Sequence, residues 1–300
     1  MRTRKLLLAA GAAAVAAMLA GCFPPKPIPG VDRGFILGRF ADVRRAMPTS
    51  NFAVDMRFKV PRYWRLEERL DAELWTRDSD ALRFSAEHAY AGGILMTVSK
   101  GRFGLWNHVQ GTNELYEGRT KYAGGWARFW FRPENLTSAM GLAPADWIAG
   151  ASIEKYPGCV VLAVSTARDG SFWTRERYRL EPDWRYAADP ETGEKRWTAP
   201  PDSWRVVEYT TFLTDGTINW RVTLADHTRV SFVDGARVGW ALVPQKLLVE
   251  WPAEPGAYAE LRLKDGIFGE PYDNDEMFAR PPAAGAKITD VDASAAVDGP

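Results

Sequence analysis

Asp215-Gly216-Thr217-Ile218-Asn219-Trp220-Arg221-Val222-Thr223-Leu224 decides the fold class of this chain. After the Asp-Gly pair, Ile218, Trp220, Val222 and Leu224 alternate with Asn219, Arg221 and Thr223. Successive side chains of a strand point to opposite faces, so a period of two predicts a β-strand that is oily on one face and wet on the other. Gly216 allows the positive φ that a tight turn into such a strand requires.

The same reading extends outward. Leu70, Ala72 and Leu74 alternate with Asp71, Glu73 and Trp75, and Leu82, Phe84 and Ala86 alternate with Arg83, Ser85 and Glu87. Further strands are expected at 94–99, 103–109, 115–122, 126–131, 159–165, 171–180, 204–213, 217–225, 228–233, 247–251 and 258–264. The turn dipeptides Lys100-Gly101, Asp169-Gly170, Asp215-Gly216 and Asp234-Gly235 punctuate them. Short consecutive strands with Asp-Gly turns make an antiparallel meander and not βαβ units.

Two helices are expected among the strands. Residues 35–47 place Phe35, Ile36, Leu37, Phe40, Val43 and Met47 at helical spacing, and Pro48 ends the run. Residues 133–141 begin with Pro133 and end with Gly141, the asymmetry of helix termini. A sheet with one helix before it and one in its middle can close over its own oily face. The charged stretch from Trp184 to Trp204 reads as a long solvated hairpin or loop. Its Trp184, Trp197 and Trp204 either pack that hairpin on the sheet or form a platform for stacking a sugar.

The ends differ in composition from the middle. A basic start (Arg2, Arg4, Lys5) and an apolar run from Leu6 to Leu19 form the n- and h-regions of a secretion signal, too short to span a bilayer. Leu19-Ala20-Gly21-Cys22 closes that signal and resembles the lipobox of bacterial lipoproteins in every position. The resemblance implies cleavage after residue 21 and lipidation of Cys22, which then anchors the chain by several acyl chains; the alternative is an ordinary cleaved signal. From 22 to 34 the chain carries Pro24, Pro25, Pro27 and Pro29, expected to act as a semi-extended spacer. Residues 35–282 form one domain, and the Ala-, Gly- and Asp-rich residues 283–300 are expected to be a disordered tail.

Composition narrows the function. Without residues 1–21 the chain keeps 35 basic against 38 acidic side chains, a balance that points away from nucleic acid. Cys159 lies in the apolar run Cys159-Val160-Val161-Leu162 and reads as a small core residue. His88, His108 and His227 sit on separate segments without metal-ligand spacing, so no cofactor or metal is expected. No nucleophile elbow, P-loop or dinucleotide fingerprint occurs, and Glu67-Glu68 and Asp78-x-Asp80 read as solvated surface. Gly92-Gly93 and Gly124-Gly125 read as turns or bulges. A non-enzymatic role is expected.

Taken in order, several landmarks resemble the LolA/LolB superfamily of periplasmic lipoprotein carriers and outer-membrane receptors. They are the early amphipathic helix, the strand pair around Leu70–Glu87, the segment Val98-Ser99-Lys100-Gly101-Arg102-Phe103-Gly104-Leu105-Trp106, the helix at Pro133–Gly141, the Asp215-Gly216 hairpin and the ending Met277-Phe278-Ala279-Arg280-Pro281-Pro282. The resemblance implies a mainly β fold with a few helices, an unclosed antiparallel β-barrel, or half-barrel, covered by helices. The lipid anchor makes the chain more similar to the receptor branch, in which an apolar residue protrudes toward the membrane; Tyr90 matches that position best. Phe23, not Asp, after Cys22 implies the outer membrane, facing the periplasm.

An apolar concave face takes an acyl chain out of water at ~25 cal/mol per Å² of apolar surface buried. Leu74, Phe84, Met96, Phe103, Leu105, Trp220, Val222 and Leu261 are the candidate lining residues. They are equally consistent with a filled core. The first reading is a monomeric carrier of a lipid or an acylated lipoprotein. The other is a structural or adaptor lipoprotein whose barrel is filled by its own side chains.

Overall fold

A computed structural model describes residues 24–46, 50–59, 67–77, 81–88, 92–109, 111–119, 150–164, 175–212, 215–234, 237–268 and 275–292. Helix α1 (Arg33–Ala46) comes first, its N-terminus capped by Asp32, whose Oδ1 accepts from the Phe35 amide at 2.6 Å. Six strands follow: β1 (Ser50–Lys59), β2 (Glu68–Thr76), β3 (Leu82–His88), β4 (Gly92–Ser99), β5 (Arg102–Asn107) and β6 (Glu114–Arg119). The next group is β7 (Ser152–Tyr156), β8 (Cys159–Val164), β9 (Arg175–Glu181), β10 (Arg185–Ala188), β11 (Lys195–Thr198), β12 (Arg205–Phe212) and β13 (Ile218–Ala225). The last are β14 (Thr228–Asp234), β15 (Arg237–Val243), β16 (Lys246–Glu250), β17 (Tyr258–Phe268) and β18 (Lys287–Asp290).

Fourteen of these strands form one sheet in the order β18-β6-β5-β4-β3-β2-β1-β17-β16-β13-β12-β9-β8-β7. Its edge strands, β18 and β7, do not pair with each other, so the sheet is open. The expected meander is present from β1 to β6, and the β1–β17 pairing joins the two halves of the chain. Two hairpins, β10–β11 and β14–β15, stand outside the sheet. The Lys100-Gly101 turn has φ of 51° and 73° and joins the paired residues Ser99 and Arg102. Those are the two positive φ angles of a primed hairpin turn. Asp215 fixes the other turn by accepting from the Thr217 amide at 2.8 Å.

Several expectations are corrected. β1 was not expected, although Phe52, Val54, Met56 and Phe58 alternate with half-buried or exposed neighbours along it. β7 and β15 are also additional strands. Residues 283–292 of the tail expected to be disordered are ordered: β18 pairs with β6, and in parallel, against the antiparallel expectation. The chain ahead of β18 crosses the outer face of β3–β6. There the Met277 carbonyl accepts from Arg83 Nη1 at 3.2 Å, Arg280 Nε meets Glu117 Oε2 at 2.6 Å, and Pro281 lies where a Cβ on Gly104 would go. Asp292 then accepts from the Arg119 amide at 2.7 Å. Backbone pairing, these polar contacts and the burial of Phe278 and Val291 order the segment.

Among the described residues α1 is the one α-helix, and no helix is long and apolar enough to cross a membrane. Ile36 of α1 is fully buried within the core, with Phe35 and Leu37 packed against it, and α1 also meets β15. The second expected helix, 133–141, and the strand expected at 126–131 lie outside the described residues, as do Cys22 and Tyr90.

The registers define two rims of the sheet. The β7–β8 turn at Gly158, the end of β9, the start of β12 and the end of β13 share one rim. The end of β12, the start of β13, the β16–β17 turn, the end of β3 and the start of β4 share the other.

Candidate functional site

The core occupies one face of the sheet, where apolar side chains line up across strands in register. One row runs Phe52, Leu74, Phe84, Met96, Leu105, Tyr116 from β1 to β6. A second runs Leu162, Tyr178, Tyr209, Val222, Val249, Ala259, Phe58 from β8 to β1. Leu261 lies in a third row between Leu247 and Met56. Directly opposed side chains on one face are the contacting unit of a sheet, so these rows are the physical content of the core.

All eight candidate lining residues come together on this face. Leu74, Val222 and Leu261 have no exposed surface, Met96, Phe84 and Trp220 are within 3 % of none, Phe103 is buried, and Leu105 packs half-buried against the same cluster. In the structure as it stands the face is closed. A ligand would take its place there by displacing side chains, not by entering an open groove.

Polar groups are set into this face as well: Ser50 and Thr76, paired across β1 and β2, and a larger set on β9, β12 and β13, of which the sequence reading had only Trp220. Glu176, Thr211 and Trp220 sit opposite one another on β9, β12 and β13. Glu176 is buried, and its Oε2 accepts from the Tyr178 hydroxyl at 3.1 Å. Thr211 Oγ1 and Trp220 Nε1 are buried without a hydrogen-bond partner, a state that costs about 1–3 kcal/mol per group. Glu176 shares its face with Tyr178 and Leu180, but between Arg175 and Arg177 it has the local pattern of a wet face.

A surface cavity of about 490 Å³ opens at the Gly158 rim between residues 200–205 and the β14–β15 hairpin. Its lining includes Arg205, Asp226, His227, Arg229 and Trp240, with the Arg229 guanidinium 3.7 Å from the Trp240 ring centroid, and none of the eight lining residues. Burial, and secondarily the neighbouring Arg205 charge, pull His227 down to about 4. Its Nε2 lies 3.1 Å from the Val206 carbonyl, so the neutral ring donates from Nε2.

The three tryptophans of the insert do not share a platform. Trp204 is buried edge-on to Phe35, Trp184 Nε1 donates to the Gly158 carbonyl at 2.7 Å, and Trp197 Nε1 donates to the Pro24 carbonyl at 2.7 Å. Cys159 is buried in β8, the position of a core residue. Gly92 has φ of 78°, and a Cβ there would overlap the His108 carbonyl, so the Gly92-Gly93 pair is a turn-and-close-approach site. Among the described residues no group of His, Cys, Asp or Glu is arranged to hold a metal ion.

No protein-family profile matches the chain. No curated protein sequence matches it either. Solved structures do. A LolA superfamily protein from Nitrosomonas europaea is 11 % identical, with 84 % of this chain and 99 % of that chain covered at a TM-score of 0.51. A putative outer membrane lipoprotein-sorting protein domain from Vibrio parahaemolyticus is also 11 % identical, with 80 % of this chain and 95 % of that one covered at a TM-score of 0.51. The chain thus shares its fold with these two structures.

Proposed function

We propose that this chain is a lipid-anchored bacterial lipoprotein whose inner sheet face takes up a lipid, or the acyl chains of another lipoprotein, in the periplasm. The observation that carries the reading is the gathering of Leu74, Phe84, Met96, Phe103, Leu105, Trp220, Val222 and Leu261 on one apolar face of an unclosed sheet. The shared fold with a lipoprotein-sorting domain supports it. Cys22 carries the anchor, and Phe23 after it, in place of Asp, points to the outer membrane with the domain facing the periplasm.

No bond is made or broken in this role. An acyl chain moving from water onto the face gains ~0.8 kcal/mol per methylene, roughly 10 kcal/mol for a chain of ordinary length before ordering costs are subtracted. Uptake requires the closed face to open, and among the described residues α1 and the β14–β15 hairpin, which touch each other outside the sheet, can move without breaking it. Neither a nucleotide nor a metal is needed for such an exchange.

A second reading, an adaptor whose face is filled by its own side chains, is favoured by the complete burial of Leu74, Val222 and Leu261. Mass spectrometry of an organic extract separates the two. A soluble form starting at Phe23, secreted to the periplasm and purified without detergent, carries stoichiometric lipid or acylated protein if it is a carrier. A clean extract, with no binding of an apolar dye displaceable by fatty acid, rejects the carrier. In parallel, Cys22→Ala releases a folded protein from membranes; a variant that still sediments with them after a high-salt wash rejects the anchor.

A further inference from the structure

The proline-rich segment expected to be a free spacer is docked on the domain. The Pro24 carbonyl accepts from Trp197 Nε1 at 2.7 Å, the Pro27 carbonyl accepts from the Gly158 amide at 2.9 Å, and Pro29 is buried. Lys26 lies across Gly158 so closely that a Cβ there would come within 2.7 Å of its side chain, and Gly158 holds φ at +81°. Immediately after this segment, Arg33 donates to the Ala151 carbonyl ahead of β7. The segment is therefore tied at several points to the β7–β8 turn and the β10–β11 hairpin. Proline carbonyls suit this role, because a chain with few amide donors still offers acceptors to the donors of its host.

Only Phe23 separates Pro24 from Cys22. Two residue steps span at most ~7 Å between Cα atoms, so the backbone of Cys22 is held within that distance of Pro24.

We propose that residues 24–30 are a strap that presses the Gly158 rim of the sheet, with the β10–β11 hairpin, against the lipid surface in which Cys22 is anchored. This rests on the anchor reading above. The corner has the apolar groups for such a contact: Ile28 in the strap is 60 % exposed and Tyr156 beside the turn is 43 % exposed. Its charges come in near-balanced pairs, Arg185 with Asp183, Arg196 with Asp189 and Arg177 with Glu154. The contact is thus set by the short tether and not by attraction to anionic lipid, and salt leaves it in place. The opposite rim, where β3 ends at His88 and β4 begins at Gly92, is then turned away from the anchoring bilayer.

The test uses the full-length lipidated chain in phosphatidylcholine vesicles, with Cys159→Ala as background and one fluorophore on either Thr192→Cys or Ala253→Cys. Thr192 is exposed in the β10–β11 turn, and Ala253 is exposed in the β16–β17 turn at the opposite rim. Lipids with a nitroxide headgroup should quench the label at 192 several-fold more than the label at 253. Trp197→Ala should shrink that contrast. A flexible Gly-Ser insertion between Phe23 and Pro24 should shrink it as well, while leaving every contact of the folded domain intact. Equal quenching at both labels, or stronger quenching at 253, overturns the strap orientation. Failure of every variant to float with vesicles overturns the anchor reading instead.

Discussion

The two halves of the inner face solve the same burial problem with different chemistry. From β1 to β5 the row Phe52, Leu74, Phe84, Met96, Leu105 is purely apolar, and its buried polar neighbour is the Ser50–Thr76 pair at the end of β1 and β2. From β8 to β13 the corresponding region contains Glu176, Tyr178, Tyr209, Thr211 and Trp220, whose polar atoms must find partners or remain unsatisfied. Removing side-chain volume should therefore dominate the energetics of the first half. The second half should respond to hydrogen bonding and to pH.

The largest effect is expected in the apolar half. Phe84, opposed by Leu74 on one side and Met96 on the other, leaves a cavity when cut to alanine. Phe84→Ala should lower stability by about 3–5 kcal/mol in urea unfolding, because transfer and cavity terms add. A loss below that range would mean that the row collapses easily onto the gap, as a face built to open for a ligand would.

Next comes the pH response of the polar half. His227, on the connection after β13, titrates at about 4 in the fold against an ordinary value of 6.5. The unfolded chain therefore takes up a proton between those values that the folded chain refuses, and stability falls as the pH drops through that window. The full difference is about 3 kcal/mol. Arg205 opposes protonation and Asp226 favours it, so burial remains the dominant cause. His227→Gln keeps a donor for the Val206 carbonyl and should flatten the urea midpoint between pH 6.5 and 4. An unchanged slope would assign the acid sensitivity to other groups.

Tyr178→Phe sharpens the comparison with little change of volume. It removes the hydroxyl that Glu176 accepts from and should cost about 1–3 kcal/mol, with Glu176→Gln partly offsetting the loss. Tyr178 is completely buried, so a neutral result would show that the carboxyl is already satisfied by its other neighbours.

This contrast also explains what the sequence made legible. Period two marks Ile218–Leu224, Leu70–Leu74 and Leu82–Ala86 because each strand has one buried face, and the eight lining residues followed from that parity. β1 carries the same alternation and was legible by the same rule. Polar residues in the core were not, because Glu176 between two arginines has the local pattern of a wet face. β18 has a single large apolar residue, Ile288, which is exposed; its position is set by pairing with β6, about 170 residues earlier. The strap has the composition of a spacer, and what fixes it is an indole and a glycine amide far away in sequence. Local periodicity reports which face a side chain takes. It does not report distant hydrogen-bond partners.

The smallest expected effect has the opposite sign. Thr211 has no exposed surface, and its hydroxyl lacks a partner while facing Trp220, whose Nε1 lacks one too. Valine has nearly the same shape without the hydroxyl, so Thr211→Val should raise stability by about 1 kcal/mol, where a volume change of any kind in the apolar half would lower it. Phe84 and Thr211 would then differ in sign although both are buried on the same face, because one contributes packing and the other carries an unmet hydrogen-bonding need. A loss on Thr211→Val would break the comparison, since it would mean that the hydroxyl makes a favourable bond in solution and that the two halves are satisfied alike.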